Sequence, residues 1–217
     1  MSRTMNMIDI YSMNYAQLDD EIKKQFSNVI THLLEKMNFF DLISLYIEIE
    51  TKRRQNNYDI HNLIDKNSLY DELGLQVLLS SNGKKIEKLE LYSQILGSWY
   101  SYVGSMISKR IKSYGVVENQ EMLEQLNNRI LSISSQKDQL NLNRLKNYEL
   151  ATNPSELKSM ADSLGKTESE MFEQLESEFS ELVQKEGELE NYLIFYKMFE
   201  RELSDSLIEK NKNARSV

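Results

Sequence analysis

The chain has 217 residues, 26 basic and 34 acidic, for a net charge of −8, with one proline, seven glycines and no cysteine. That length supports one sizeable core or two small ones, and the missing cysteines exclude disulfides, thiolate metal sites and a cysteine nucleophile. A single proline, Pro154, leaves helices free to run long, and no run of apolar residues is long enough for a bilayer span.

Residues 1–14, MSRTMNMIDIYSMN, contain Asp9 and no apolar run, so they do not read as a secretory signal. Met5, Met7, Ile8, Ile10, Tyr11 and Met13 would suit a short amphipathic helix on lipid. With Arg3 as the only cation, they are expected as a flexible N-terminal segment, disordered or docked.

From Tyr15 to Leu79 the pattern predicts a first long helix. It has a weak point in RRQNNYDIHN, 53–62, where Asn56 and Asn57 lower helix propensity. The tetrapeptide SSNG, Ser80 to Gly83, predicts the first reversal, because Asn-Gly tolerates positive φ. A second helix is then expected from Lys84 to Ala151, weakest in YGVVENQ at Gly115.

Within that second helix, GSWYSYVGSMISKRIKSYG (97–115) has the length of a membrane span. Its serines and its basic end, Lys109, Arg110 and Lys112, rule that out. On a helical wheel Leu96, Trp99, Val103, Ile107, Ile111 and Tyr114 form one broad apolar face. Gly97, Ser101, Gly104 and Ser108 form a second, small-residue face that lets a neighbouring backbone come close. The stretch reads as a packed middle helix.

TNPS, 152–155, predicts the second reversal, with Ser155 as N-cap of a third helix. Gly165 interrupts its first turns, and Thr167 with Glu170 forms a second capping box. A heptad frame starting at Glu168 and Phe172 then runs through Leu175, Phe179, Leu182, Glu186, Leu189, Leu193, Tyr196, Glu200 and Leu203 to Leu207. Residues 168–190 hold nine glutamates against Lys185, so this stretch alone carries the whole net charge. Its spread around a helix suits a solvated face rather than a calcium site, since no Asp-rich loop converges on an ion.

Three segments of similar length joined by tight turns predict an all-α fold, an elongated antiparallel three-helix coiled coil with kinks or breaks near Asn56 and Gly115. A single helical domain would cover 15–210, with a flexible basic tail over 211–217. One such layer leaves both flanks of its middle helix open, so a homodimer is expected. Gly97, Trp99, Gly104, Phe172, Phe179, Leu189 and Tyr196 are the candidate packing or dimer contacts.

No constellation for catalysis stands out. His32 and His61 are the only histidines, and the residues three before them are Val29 and Tyr58, not the glutamates of a di-iron bundle. His32 with Glu35 supplies too few ligands for a metal. SSNGKK lacks the spaced glycines of a phosphate loop. Short basic clusters beside a strongly acidic stretch disfavour nucleic acid. No catalytic residue, metal or cofactor is expected.

The last helix, FSELVQKEGELENYLIFYKMFERELSDSLIEK (179–210), alternates Glu and Lys with Phe, Leu and Tyr seams. Together with the three equal segments and the weak point at Tyr114-Gly115, it resembles the BAR domain, most nearly the helical domains of sorting nexins, without their PX module. The resemblance implies a crescent-shaped homodimer, cytoplasmic or peripheral to a membrane, that binds anionic phospholipid in trafficking. The cations available for that are Lys84, Lys85 and Lys88, Lys109, Arg110 and Lys112, and Arg144 with Lys146. The alternative is a cytosolic scaffold or adaptor without membrane contact, whose exposed seams take a helix of another protein.

Overall fold

A computed structural model describes residues 2–215. Among the described residues there are seven α-helices, and the chain divides into two compact units, one ending at Ser113 and one beginning at Tyr114.

The first unit starts with α1 (Arg3–Asn14), whose Ser2 cap accepts a hydrogen bond from the Met5 amide. A 3-10 turn (Tyr15–Gln17) leads to α2 (Asp20–Lys36), capped by Asp19 through the Ile22 amide at 2.8 Å. Asn38 caps α3 (Phe39–Glu72) through the Asp41 amide at 2.8 Å, and α4 (Gln76–Ser113) follows. These caps satisfy amides that would otherwise be orphaned at each helix start, which is why the chain can break and restart there.

Helices α3 and α4 pack as an antiparallel hairpin, with α1 laid against both and against α2. Met5 and Ile8 of α1, Ile30 and Leu34 of α2, Leu42, Ile43, Ile47 and Ile49 of α3, and Leu96, Val103 and Ile107 of α4 are all at most 2 % exposed. Each such side chain contributes about 1.5–3 kcal/mol of burial. Polar ties fix α1: Ser2 donates to Glu48, Lys52 meets Asp9 at 3.1 Å, and Tyr92 donates to the other oxygen of Asp9.

The second unit is a hairpin of α5 (Val116–Thr152) and α7 (Glu168–Arg215), with the short α6 (Pro154–Leu164) packed on both. Asn153 caps α6 and Gly165 closes it in the left-handed region at φ +66. Thr167 and Glu170 then start α7 with the reciprocal capping box the sequence suggests, at 2.8 and 3.2 Å. Lys137 with Glu190, Arg144 with Glu186 (2.9 Å) and Asn147 with Glu178 (3.3 Å) set the antiparallel register.

Several expectations are overturned. The fold is all-α, but it is not an elongated three-helix coiled coil: seven helices pack in two units, chiefly as the pairs α3 with α4 and α5 with α7. The first predicted helix is two, α2 and α3, because Asn38 terminates one and caps the other. SSNG lies inside α4; the reversal falls at Gly74 (φ +68), where Leu75 donates back to Tyr70 at 2.8 Å. Asn56 is no kink, because its amide is buried and donates to the Leu89 carbonyl and to Ser93 across the hairpin. Gly115 does mark a break between α4 and α5.

The BAR-like layout therefore does not hold, and the homodimer expected from it loses its premise. The small face of α4 that was expected to need a partner chain is covered by Tyr46 and Arg53 of α3. The coiled-coil seam fails at its start: of its frame Leu175 is buried but Phe172 and Phe179 point outward, and Met171, off the frame, is buried in their place. Residues 3–14, expected as a segment either disordered or docked, form the docked helix α1, and α7 runs through the expected tail to Arg215, with 216–217 outside the described residues.

Candidate functional site

Two open grooves carry the features that a binding function needs, one in each unit. In the second unit, Asn147, Tyr148 and Ala151 of α5 face Phe172, Leu175, Glu176 and Phe179 of α7 across a groove of about 400 Å³. Residues 172, 175, 176 and 179 share a helix face at spacings of three and four, and 147, 148 and 151 do the same on α5. A two-helix hairpin buries one face of each helix and leaves the flanking rows uncovered. Here those rows are aromatic: Tyr148 is 62 % exposed, Phe172 41 % and Phe179 39 %. Leu142, Leu145 and Val183 extend the uncovered apolar rows along the same two helices.

Charge around this groove is one-sided. Glu178, Glu186 and Glu190 are engaged by Asn147, Arg144 and Lys137 across the hairpin. Glu170 is spent on the Thr167 cap, whose amide and hydroxyl hold its carboxyl below the usual range. Glu173 and Glu176 are exposed and have no ion-pair partner among the described residues.

In the first unit, a second groove of about 620 Å³ lies where the end of α1 meets α3 and α4. Met13, Asn14 and Gln17 form one side, Lys52, Gln55, Asn56, Asp59 and Leu63 another, and Lys85, Lys88, Leu89 and Tyr92 the third. The Tyr92 hydroxyl is held protonated, its pKa raised by burial and by the bond to Asp9.

The residues singled out in the sequence divide between these surfaces and the core. Lys85 and Lys88 line the first-unit groove, and Lys84 lies beside them on α4 with Val77, Ser80 and Ser81. Lys109 and Lys112 are exposed near the other end of α4. Arg110 instead donates to the Met37 and Glu35 carbonyls, neutralising the C-terminal end of α2. Arg144 is committed to Glu186, while its neighbour Lys146 stays exposed.

Trp99 is a core residue, set edge-on to Tyr11 with ring centroids 6.0 Å apart. Gly97 lies under the Arg53 guanidinium and Gly104 under the Tyr46 ring. Tyr196 is buried, Leu189 is half-buried, and only Phe172 and Phe179 reach a groove. Sequence reasoning missed Tyr148 and Tyr92, and did not place Lys52 or Met13 in a common site. The helical spacing of Tyr148 with Ala151 was a usable signal; the others come together only through the tertiary register.

His32 is exposed, 3.9 Å from Glu35, and His61 bonds its own helix at the Asn57 carbonyl. No group of three or more potential metal ligands is found among the described residues, and no helix is long and apolar enough to cross a membrane. No family model, curated protein or solved structure matches the chain.

Proposed function

We propose that the chain is a non-catalytic helical adaptor, whose second unit docks a basic amphipathic helix of another protein in the α5–α7 groove. The observation that carries this reading is the pairing of three outward aromatics, Tyr148, Phe172 and Phe179, with carboxylates that no lysine or arginine of the unit engages. A helix laid in the groove would complete a three-helix layer and bury the aromatics. Lysines flanking its apolar stripe would meet Glu173 and Glu176, which favours a basic occupant and speeds its capture. An acidic helix would face like charge.

The other reading that the sequence offers, contact with an anionic membrane, has less support in the geometry. Arg110 and Arg144 are tied to intrachain partners, and of the basic clusters Lys84, Lys85 and Lys88 alone make a dense, uncommitted patch.

The test uses two synthetic amphipathic helices of identical leucine pattern, one with lysine and one with glutamate on its polar face. The full chain is expected to bind the lysine peptide, less strongly at higher salt, and to ignore the glutamate peptide. The double variant Glu173→Lys/Glu176→Lys should invert that preference. The proposal fails if the lysine peptide does not bind, or if Phe172→Ser/Phe179→Ser binds it as well as the native chain does.

A further inference from the structure

The groove of the first unit has a charge problem that its own residues leave unsolved. Lys85 and Lys88 are one turn apart on α4, both exposed, and neither has an ion-pair partner among the described residues. Like charges at that spacing repel. Lys52, farther along the groove on α3, is neutralised by Asp9 at 3.1 Å. The only carboxylate lining the groove is Asp59, which accepts a hydrogen bond from the Gln55 amide at 3.1 Å. With the Lys52–Asp9 pair balanced, two ammonium groups against one carboxylate line the groove.

The remaining donors are sorted in the same direction. The Asn56 amide is spent on the Leu89 carbonyl and on Ser93, the Asn14 amide on the Ile10 carbonyl, and the Tyr92 hydroxyl on Asp9. Those bonds hold the walls in place. Lys85, Lys88 and the exposed Gln17 make no side-chain hydrogen bond among the described residues and are free to donate into the groove. Beside them Leu63 and Leu89 supply apolar wall, and Met13, 68 % exposed, supplies an apolar rim. The volume of about 620 Å³ is that of a small-molecule site.

We infer that this groove binds a phosphate monoester carried on an apolar body, with Lys85 and Lys88 on the phosphate and Met13, Leu63 and Leu89 against the body. A phosphate monoester carries close to two negative charges and three acceptor oxygens at neutral pH. It would answer both lysines at once, as a monovalent carboxylate would not. The same chemistry occurs in a soluble ester and in a lipid headgroup of the phosphatidic acid type. The inference is independent of the helix-docking reading, which concerns the other unit.

The test is calorimetric titration of the full chain with inorganic phosphate and with dioctanoyl phosphatidic acid. Sedimentation with phosphatidylcholine vesicles, with and without long-chain phosphatidic acid, runs beside it. Lys85→Ala/Lys88→Ala is compared with Lys109→Ala/Lys112→Ala, which removes the same charge from the other end of the same helix. Binding of dioctanoyl phosphatidic acid, weakened about thirtyfold by the first pair and by less than about threefold by the second, is the expected result.

Binding to the free ester without pelleting assigns a soluble ligand, and added pelleting assigns a membrane source; both support the inference. It is overturned if neither form binds the native chain, or if the two double variants lose binding equally. Circular dichroism of both variants confirms that they fold. The exposed lysines leave no structural reason for them not to.

Discussion

The ring of Tyr46 occupies the space that a side chain at Gly104 would need: a Cβ added there would lie 3.0 Å from Cε2. Tyr46 has little room to retreat, since it is buried and stacked on Tyr100 with centroids 4.1 Å apart. Gly104→Ala is therefore expected to lower stability by about 1 kcal/mol, the overpacking cost exceeding the gain in helix propensity. At Gly97 the nearest atom is Arg53 Nε at 3.7 Å, an ordinary contact, and at Gly187 nothing lies within 4 Å. The same substitution at those positions should raise stability by roughly 0.5–1 kcal/mol. Urea unfolding followed by circular dichroism checks all three; equal effects would show that the α3–α4 contact is looser than its geometry.

Two buried asparagines should respond in opposite ways. Asn56 donates to the Leu89 carbonyl at 2.7 Å and to Ser93 at 2.6 Å, joining the hairpin. Asn119 is fully buried, and neither its amide nitrogen nor its oxygen has a partner. Removing a satisfied amide loses its bonds and leaves a hole, whereas replacing an unsatisfied one relieves about 1–3 kcal/mol of desolvation. Asn56→Ala is expected to lower the melting temperature and Asn119→Leu to raise it. A drop for Asn119→Leu would mean that its amide is satisfied after all.

Helix content was legible from the sparse glycine and proline, the turn at Pro154 from local turn chemistry, and Gly115 as a weak point though not specifically as a break. The first reversal was not. Asn82-Gly83 has the better turn dipeptide, yet Gly74 takes the left-handed conformation and Asn82 lies buried, donating to Asn67 at 3.0 Å. Tertiary pairing across α3 and α4 overrides local preference there. Gly74→Ala should cost about 1 kcal/mol, since an alanine resists φ +68. Gly83→Ala, in mid-helix with open space around it, should stabilise by about as much. Thermal unfolding of the two variants distinguishes the positions directly.

That misplaced turn also explains what was missed at the sites. A reversal near Asn82 would set Lys85 against the end of its own predicted helix pair, far from Lys52. With the reversal at Gly74, Asn56 falls beside Ser93 and Tyr46 beside Gly104, so Lys85 and Lys88 come to the stretch of α3 that carries Asp59 and Leu63. Phe172 and Phe179 were visible as large apolar residues but assigned inward. A frame of 3.5 residues per turn drifts against a helix of 3.6, and Met171 takes the buried position instead.

The attachment of α1 gives a pH dependence with a definite sign. Tyr92 donates to Asp9, and burial together with that carboxylate raises the tyrosine pKa well above its ordinary value of about 10. Below pH 10 the hydroxyl is protonated in both folded and unfolded chains, so the bond contributes in full. Above it the unfolded chain releases the proton while the folded chain retains it, and stability falls as pH rises. Tyr92→Phe is expected to be less stable than the native chain at pH 8 but to lose less between pH 9 and 11. Parallel slopes for the two proteins would show that the Tyr92–Asp9 bond does not govern the alkaline limb.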